Sequence, residues 1–530
     1  MRIQYRKPIL TALFIVLVTS LPAFGGESGD DGLRIASASP EIPERITAGH
    51  IEISPYAPHP DPAAGNVFDG PDTASVDPEH KNEENALGFY LRFMGSMVLR
   101  SHVLTMIKNP ISSSTRLVNY AIDTTKGTLT SIVHEYDGPI PPVSNARPMN
   151  LEAWEEKLNK ITSGERYRGS VKFLIDGEDF FSPLIRSIQD AEDSVHIRIN
   201  IFDTDDYAVK IADLLKLRSE EVDVKVLLDD MSSLLNGRQP PESAVPEDFT
   251  PPASIEKYLE KDSKVRVRPI ANPWFTSDHT KAIIIDKKKA YIGGMNIGRE
   301  YRYDWHDMMV ELEGPIVGRL NKDFYEAWAY QGPTGDFGYA WAYLFRTEKY
   351  RGEKNRDDYI DIRPLYTKTG DEEIYRAQIA AIREARSYIY IENPYFTDDT
   401  LLNEIIKARR RGVDVRVVLP AYTDSGLMSD SNLLVANSMI RNGIRVYVYP
   451  GMTHLKAAIY DGWACLGSAN LNLLSMRLNQ EINIGISDRE TVNRLKRELF
   501  EADFNRSVEL TDTRDVKLSH YISEAILDMF

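Results

Sequence analysis

One order of residues occurs twice in this chain of 530, and it constrains the fold more than any other feature. The first copy runs His279, Lys281, Asp286, Gly293-Gly294, Asn296 and Asp307. The second runs His454, Lys456, Asp461, Gly467-Ser468, Asn470 and Glu481. Counted from each His, the offsets are 0, 2, 7, 14, 17, 28 and 0, 2, 7, 13, 16, 27, so one residue lost between Asp and Gly reconciles the copies. The segments upstream also match. Val195–Phe202 (VHIRINIF) resembles Tyr388–Phe396 (YIYIENPYF), and VDVKVLL at 222–228 resembles VDVRVVL at 413–419. An acidic pair follows the first strand of each copy, Asp205-Asp206 and Asp398-Asp399. Helical periodicity fills the gap over Tyr207–Leu217 and Leu401–Arg410. Strands alternating with helices predict an α/β fold with a largely parallel sheet. The repeat predicts two related α/β/α units, 168–332 and 355–510, related by a pseudo-twofold axis.

The repeated residue types suit phosphate chemistry. The runs that begin HTKAIIID and HLKAAIYD have strand propensity. Alternation puts His279 and Lys281 on one face of their strand, and His454 and Lys456 likewise. Asp286 and Asp461 complete the motif and are grouped with its catalytic residues. An odd offset nevertheless turns them to the opposite face, which favours bracing. Asn296 and Asn470 follow glycine turns and offer amide donors for phosphate. If the units share one site, two imidazoles, two ammonium groups and two amides surround one phosphorus, with neither a metal nor a cofactor required. One neutral imidazole can attack phosphorus while the other handles the leaving-group proton. Each ring then needs an acceptor on its second nitrogen. Asp307 and Glu481 are the candidates. His306 reads as solvent-facing, Cys465 as a small core residue, and the remaining histidines lack metal-ligand spacing.

With both motifs in view, the sequence resembles the phospholipase D superfamily, whose signature is H-x-K-x4-D followed by a Gly-Gly or Gly-Ser turn and Asn. GGMNIGREY, GSANLNLLSMRLNQEIN, ENPYFTDD and RRRGVDVRVVLP are similar to its cardiolipin synthase-like branch. The resemblance covers about residues 168–510. It implies a duplicated α/β fold with one active site at the interface. It also implies a phosphodiesterase or phosphatidyltransferase working through a phosphohistidine, on phospholipid at a membrane surface, with water or an alcohol as acceptor. It carries the nucleophile role to His279, the acid role to His454, and phosphate binding to Lys281, Lys456, Asn296 and Asn470. An exported nuclease of the same superfamily and a catalytically silent binding protein are the alternatives. With 63 basic against 79 acidic residues, a net charge of −16 disfavours nucleic acid. Two intact motifs disfavour the silent protein. A monomer is expected.

The rest of the chain frames these units. Arg2, Arg6 and Lys7 precede an apolar run from Ile9 to Phe24, and Ala23-Phe24-Gly25 offers small residues for cleavage. Residues 1–25 therefore read as a secretory signal, which places the mature chain in the periplasm or outside the cell. The alternative is an uncleaved membrane anchor. A single cysteine forms no intrachain disulfide. Residues 26–167 read as a polar extension plus a helical segment. Within them, 86–107 is expected to pack an amphipathic helix on the body, and 139–148 to link into the catalytic region. A Pro-rich insertion occupies 234–253, an aromatic connector 333–354 and a tail 511–530. The charge runs Lys287–Lys289 and Arg409–Arg411 read as solvated surface.

Overall fold

β-Branched runs bounded by turn residues form the strands, and the first half shows the pattern. It contains β1 (Tyr167–Ile175), β2 (Ser194–Ile199), β3 (Asp223–Asp229), β4 (Arg266–Ile270), β5 (Ala282–Ile285), β6 (Lys289–Gly293) and β7 (Met308–Glu313). The second half repeats it with β8 (Ile360–Lys368), β10 (Tyr388–Glu392), β11 (Asp414–Pro420), β12 (Arg445–Tyr449), β13 (Ala457–Tyr460), β14 (Trp463–Gly467) and β15 (Glu481–Ile486). Short β9 (Asp371–Glu372) pairs with β8, and β16 (Val508–Leu510) pairs with β12. The computed structural model describes residues 95–130, 138–236, 241–273 and 276–527. The expected signal at 1–25 and the extension up to residue 94 lie outside the described residues.

All sixteen strands belong to one sheet. From a central β1–β8 seam outward, one half runs β1-β7-β6-β5-β2-β3-β4 and the other β8-β15-β14-β13-β10-β11-β12. The two orders correspond strand for strand, which is the pseudo-twofold expected from the repeat. At the seam Tyr167, Arg168 and Gly169 pair antiparallel with Ile362, Asp361 and Ile360. Gly169 is required there, because a Cβ would sit 2.6 Å from the Glu313 carbonyl oxygen.

The expectation of a largely parallel sheet needs correction. Only β2–β3, β3–β4, β10–β11 and β11–β12 are parallel. The strands carrying the motifs form antiparallel hairpins instead. Asp286 and Lys287, at φ 54° and 58°, make the left-handed turn between β5 and β6. Asp461, at φ 55°, does the same between β13 and β14. Turns this short force an antiparallel return, and alternation alone carries no strand direction.

Helices cover both faces. Asp176–Gln189 and Asp206–Arg218 bury Phe180, Phe181, Ile211 and Leu215 against Val195, Ile197 and Ile283. On the other face Ile316–Tyr330 joins a core that crosses the seam, holding Val310 and Phe324 together with Ile459, Ile482 and Phe500. The acidic pairs noted in the sequence are helix caps: Asp205 accepts from Ala208 N at 2.7 Å and Asp398 from Leu401 N at 2.8 Å.

The flanking segments pack against the two units. The stretch 139–148 runs along the second half, where Ser144 N donates to the Gly412 carbonyl at 2.7 Å. Helix Leu151–Ile161 then packs Trp154 edge-on against Trp463. Arg409, expected in solvent, is buried and donates to the Gly443 and Pro141 carbonyls at 2.8 and 2.9 Å. The helical run Gly95–Leu104, Thr105–Lys108 and Pro110–Thr130 does pack on the body, but with its polar side inward. Ser101, Thr105, Asn109 and Ser113 are buried, while the large apolar side chains at 99–122 point to solvent. No helix among the described residues is long and apolar enough to cross a membrane.

Candidate active site

The residues just before β5 and β13 make their backbone contacts across the pseudo-twofold. His279 N donates to the Gln480 carbonyl at 2.9 Å, and Gln480 N to the Ser277 carbonyl at 3.0 Å. Symmetrically, His454 N donates to the His306 carbonyl at 2.7 Å, and His306 N to the Met452 carbonyl at 3.0 Å. Each His is thereby laid beside an acid of the other half, Glu481 at the first position of β15 or Asp307 just before β7. His279 Nδ1 lies 3.0 and 3.1 Å from the two carboxylate oxygens of Glu481. His454 Nδ1 lies 2.7 Å from Asp307 Oδ2. The structure places each acid proposed from sequence beside a histidine, and in each case it is the histidine of the opposite repeat. Holding Nδ1 fixes the ring and turns Nε2 away from the acid.

The two acids differ in length, and their surroundings compensate. A Cβ on Gly294 would lie 2.1 Å from Asp307 Oδ1, so the short acid occupies the place of a side chain. In the other half Ser468 stands at the equivalent position. Its hydroxyl donates to Glu481 Oε2 at 2.6 Å. Ser468 was not singled out from the sequence. The signal was present: the Gly-to-Ser and Asp-to-Glu differences between the repeats occur together.

Lys281 and Lys456 are buried and donate to the carbonyls of His279 and His454. Burial, and the charge of Lys456, bring Lys281 down to about 7 despite the acids nearby. Burial likewise brings Lys456 to about 8, against the pull of Asp307 and Glu481. Burial, then Lys456, Lys281 and His279, hold His454 well below its ordinary range. His279 is lowered by burial and by both lysines, with Glu481 opposing. Burial lifts Asp307 to about 7, partly offset by Lys456. These mutual effects require both motifs to share one region. Burial and mutual repulsion thus draw both lysines and both histidines toward their neutral forms.

The two histidines differ in exposure. Tyr301, Trp305 and Tyr395 surround His454 with ring centroids at 5.7, 5.3 and 6.3 Å. The Tyr395 hydroxyl donates to Asp424, whose charge also acts on Lys456. Tyr422 reaches Glu242 of the Pro-rich insertion at 2.8 Å, joining loops of the two halves. These flanking residues follow from loop placement and carry no spacing signal.

Two further groups of sequence-predicted residues behave differently from the histidines. Asn296 is committed to the fold, with Oδ1 accepting from Ile201 N at 3.0 Å and Nδ2 donating to Tyr301 at 2.8 Å. One of its amide hydrogens remains for a ligand. Asn470 is buried with no hydrogen-bond partner for Oδ1. The catalytic grouping of Asp286 and Asp461 is corrected. Asp286 accepts from the backbone N–H groups of Glu192, Asp193 and Ser194 at 2.9, 2.7 and 2.9 Å. Asp461 accepts from Met149, Arg386, Ser387 and Tyr388. Both sit in the turn at the far end of the motif strand and fasten it to neighbouring backbone.

His306 is also corrected, from solvent-facing to buried. Its Nδ1 lies 2.6 Å from Asp176 and its Nε2 3.2 Å from Asp503, and the ring stacks on Tyr449. Burial alone would lower its pKa, but the two carboxylates hold it well above the ordinary value. Across the pseudo-twofold, the support beside His279 is instead Arg198, bonded to Asp278 at 2.6 Å and to Gln480 at 2.5 Å.

Residues 184–328 and 378–503 match the family described as "Cardiolipin synthase, PLD-like domain". The chain belongs to the phospholipase D superfamily. Within this superfamily it is 28% identical over 407 residues to cardiolipin synthase 1 of Bacillus cereus, covering 73% of this chain and 75% of that protein. It is 30% identical to the cardiolipin synthase of Oceanobacillus iheyensis, covering 64% of this chain and 70% of the relative. The fold is similar to the crystal structure of a phosphatidylserine synthase from Haemophilus influenzae, with a TM-score of 0.51 at 16% identity. That likeness spans 71% of this chain and 96% of the other. The protein is an enzyme of the phospholipase D type, a phosphodiesterase or phosphatidyltransferase.

Proposed function

We propose that this enzyme transfers phosphatidyl groups of phospholipids through a phosphohistidine formed on His279. The observation that carries the reading is the crossed pair of histidine–acid contacts, His279 with Glu481 and His454 with Asp307, beside two buried lysines. The names of the relatives supply the substrate class. In the first step His279 Nε2 attacks phosphorus, and the bond from phosphorus to the departing alcohol oxygen breaks. His454 gives that oxygen its proton. In the second step water or an acceptor alcohol gives a proton to His454 and attacks phosphorus, and the bond to His279 breaks. Lys281 and Lys456 neutralise the non-bridging oxygens as charge builds on them. The diester's own negative charge offsets the lysines and favours the protonated form of His454 on binding. Hydrolysis and transfer differ only in the acceptor.

His279 is assigned as nucleophile because its side chain is 14% exposed, against 5% for the aromatic-walled His454. The N-terminal residues 1–25 support action outside the cytoplasm, in the periplasm or secreted. The test is to incubate the mature protein with mixed phospholipids, with and without glycerol, and to identify phosphatidic acid, phosphatidylglycerol or cardiolipin. Quenched turnover should leave acid-labile, base-stable phosphate on His279. Abundant label in a His279→Ala variant would overturn the nucleophile assignment, and turnover of DNA alone would overturn the substrate class.

A further inference from the structure

A helix that packs on a protein in water buries its apolar stripe, and residues 99–122 do the reverse. Ser101, Thr105, Asn109, Ser113 and Arg116 follow one another at helical spacing and are all buried against the body. Thr105 donates to the Ala271 carbonyl at 3.0 Å, Arg100 pairs with Asp230 at 2.9 Å, and Arg116 donates to Thr276 at 3.1 Å. The opposite face carries nine exposed large apolar side chains, with Ile107 at 71% and Ile111 at 73%.

A second element continues this face. Helix Gly335–Phe345 exposes Phe337, Trp341, Tyr343, Leu344 and Phe345 on eleven residues. The two segments are fastened together. The Asp336 carboxylate accepts from Ile111 N at 2.8 Å and Ser112 N at 3.1 Å, and Gly335 lies against the Lys108 carbonyl. Together they hold fourteen of the twenty-one large apolar side chains exposed among the described residues. A groove of about 520 Å³ lined by Trp328, Trp341 and Phe345 opens along the second helix. Scattered apolar side chains are ordinary on a surface, whereas a contiguous patch marks a partner.

We infer that this joined face, residues 99–122 with helix 335–345, lies in the surface of an anionic phospholipid bilayer. The inference rests on the phospholipid reading above and adds the surface by which the enzyme meets its substrate. Two observations favour lipid over protein. The patch mixes aliphatic residues with Trp, Tyr and Phe, whose amphipathic rings favour the headgroup level. Lys108, at the junction, lies within reach of the charge of Arg268, while Arg100 beside them is paired with Asp230 and Glu256, so a small basic pair borders the patch on a chain of net charge −16.

The test uses the full chain and vesicles of phosphatidylglycerol and phosphatidylethanolamine, with flotation as the readout. Ile107→Gln, Ile111→Gln, Phe337→Gln and Leu344→Gln are combined in one variant, since all four side chains are at least 67% exposed. The wild-type chain is expected to float with anionic vesicles, and the variant to lose at least tenfold in binding. Turnover of water-soluble dihexanoyl-phosphatidylglycerol should stay within twofold. Equal flotation of both proteins, or none by the wild type, overturns the inference. A wild-type dimer that the variant converts to monomer also overturns it, by showing that a second copy covers the face. Failure of both proteins to turn over the soluble lipid refutes the phospholipid reading instead, whatever the flotation result.

Discussion

Replacing Asp307 with Asn tests the exchange of acids between the halves. Asp307 is fully buried just before β7, and its Oδ2 is 2.7 Å from His454 Nδ1, a residue 147 positions away. The amide keeps the volume and an acceptor oxygen but removes the charge that steadies an imidazolium. A hydrogen bond to a charged group is worth about 1.5–3 kcal/mol. At about 1.36 kcal/mol per decade, the steps that use His454 should slow by roughly 10- to 150-fold. Two measurements check this. Steady-state turnover of a short-chain phospholipid gives the loss in rate. Histidine NMR titration locates it, because the His454 resonance should move by about one pKa unit or more while His279 stays in place. Glu481→Gln should give the mirror result, moving His279. The crossed arrangement is refuted if Asp307→Asn perturbs His279 and spares His454, or if turnover falls less than threefold.

Three further outcomes follow from the same geometry. Binding of vanadate or inorganic phosphate should weaken as pH rises from 6 to 9, since Lys281 at about 7 and Lys456 at about 8 give up their protons there. Calorimetric titration across that range reads the effect, and a flat profile would remove the lysines as the anion's ligands. Asp286→Ala leaves three backbone N–H groups without their acceptor and should cost about 2–4 kcal/mol in chemical denaturation. Its kcat should be unchanged in the folded fraction, and a kcat loss exceeding tenfold would restore Asp286 to the chemistry. Ser468→Ala should slow turnover roughly tenfold through the freed Glu481, whereas Gly294→Ala should be far worse because its Cβ meets Asp307 at 2.1 Å. Equal activity in the two variants contradicts the compensation between acid length and neighbour.

The sequence made the site's contents legible and its wiring illegible. Offsets from His279 and His454 that match apart from one lost residue singled out the imidazoles, the lysines and the two acids, because phosphate chemistry restricts residue type. The same offsets say nothing about whether an acid 27 or 28 residues downstream serves its own histidine. That depends on the cross-half backbone bridges at Gln480 and His306, which only the fold creates. Strand direction was hidden for a related reason. Period-two alternation is the same in parallel and antiparallel strands, and the left-handed turns at Asp286 and Asp461 decide the matter. Periodicity over 86–107 revealed two faces of a helix, and the inward choice of the polar one depends on Asp230, Ala271 and Thr276, all distant in the chain. His306 was misread because its two carboxylate partners come from residues 176 and 503.

The antiparallel seam between β1 and β8 welds the repeats into one continuous plate, with hydrophobic packing shared across it. Such a plate has no hinge, so the lobes cannot part like a clamshell to admit a headgroup. Access has to come from small local movements at the rim, where the Tyr422–Glu242 contact ties one lobe's loop to the other's. The shared seam therefore fixes the two halves against each other, and with them each histidine beside its borrowed acid.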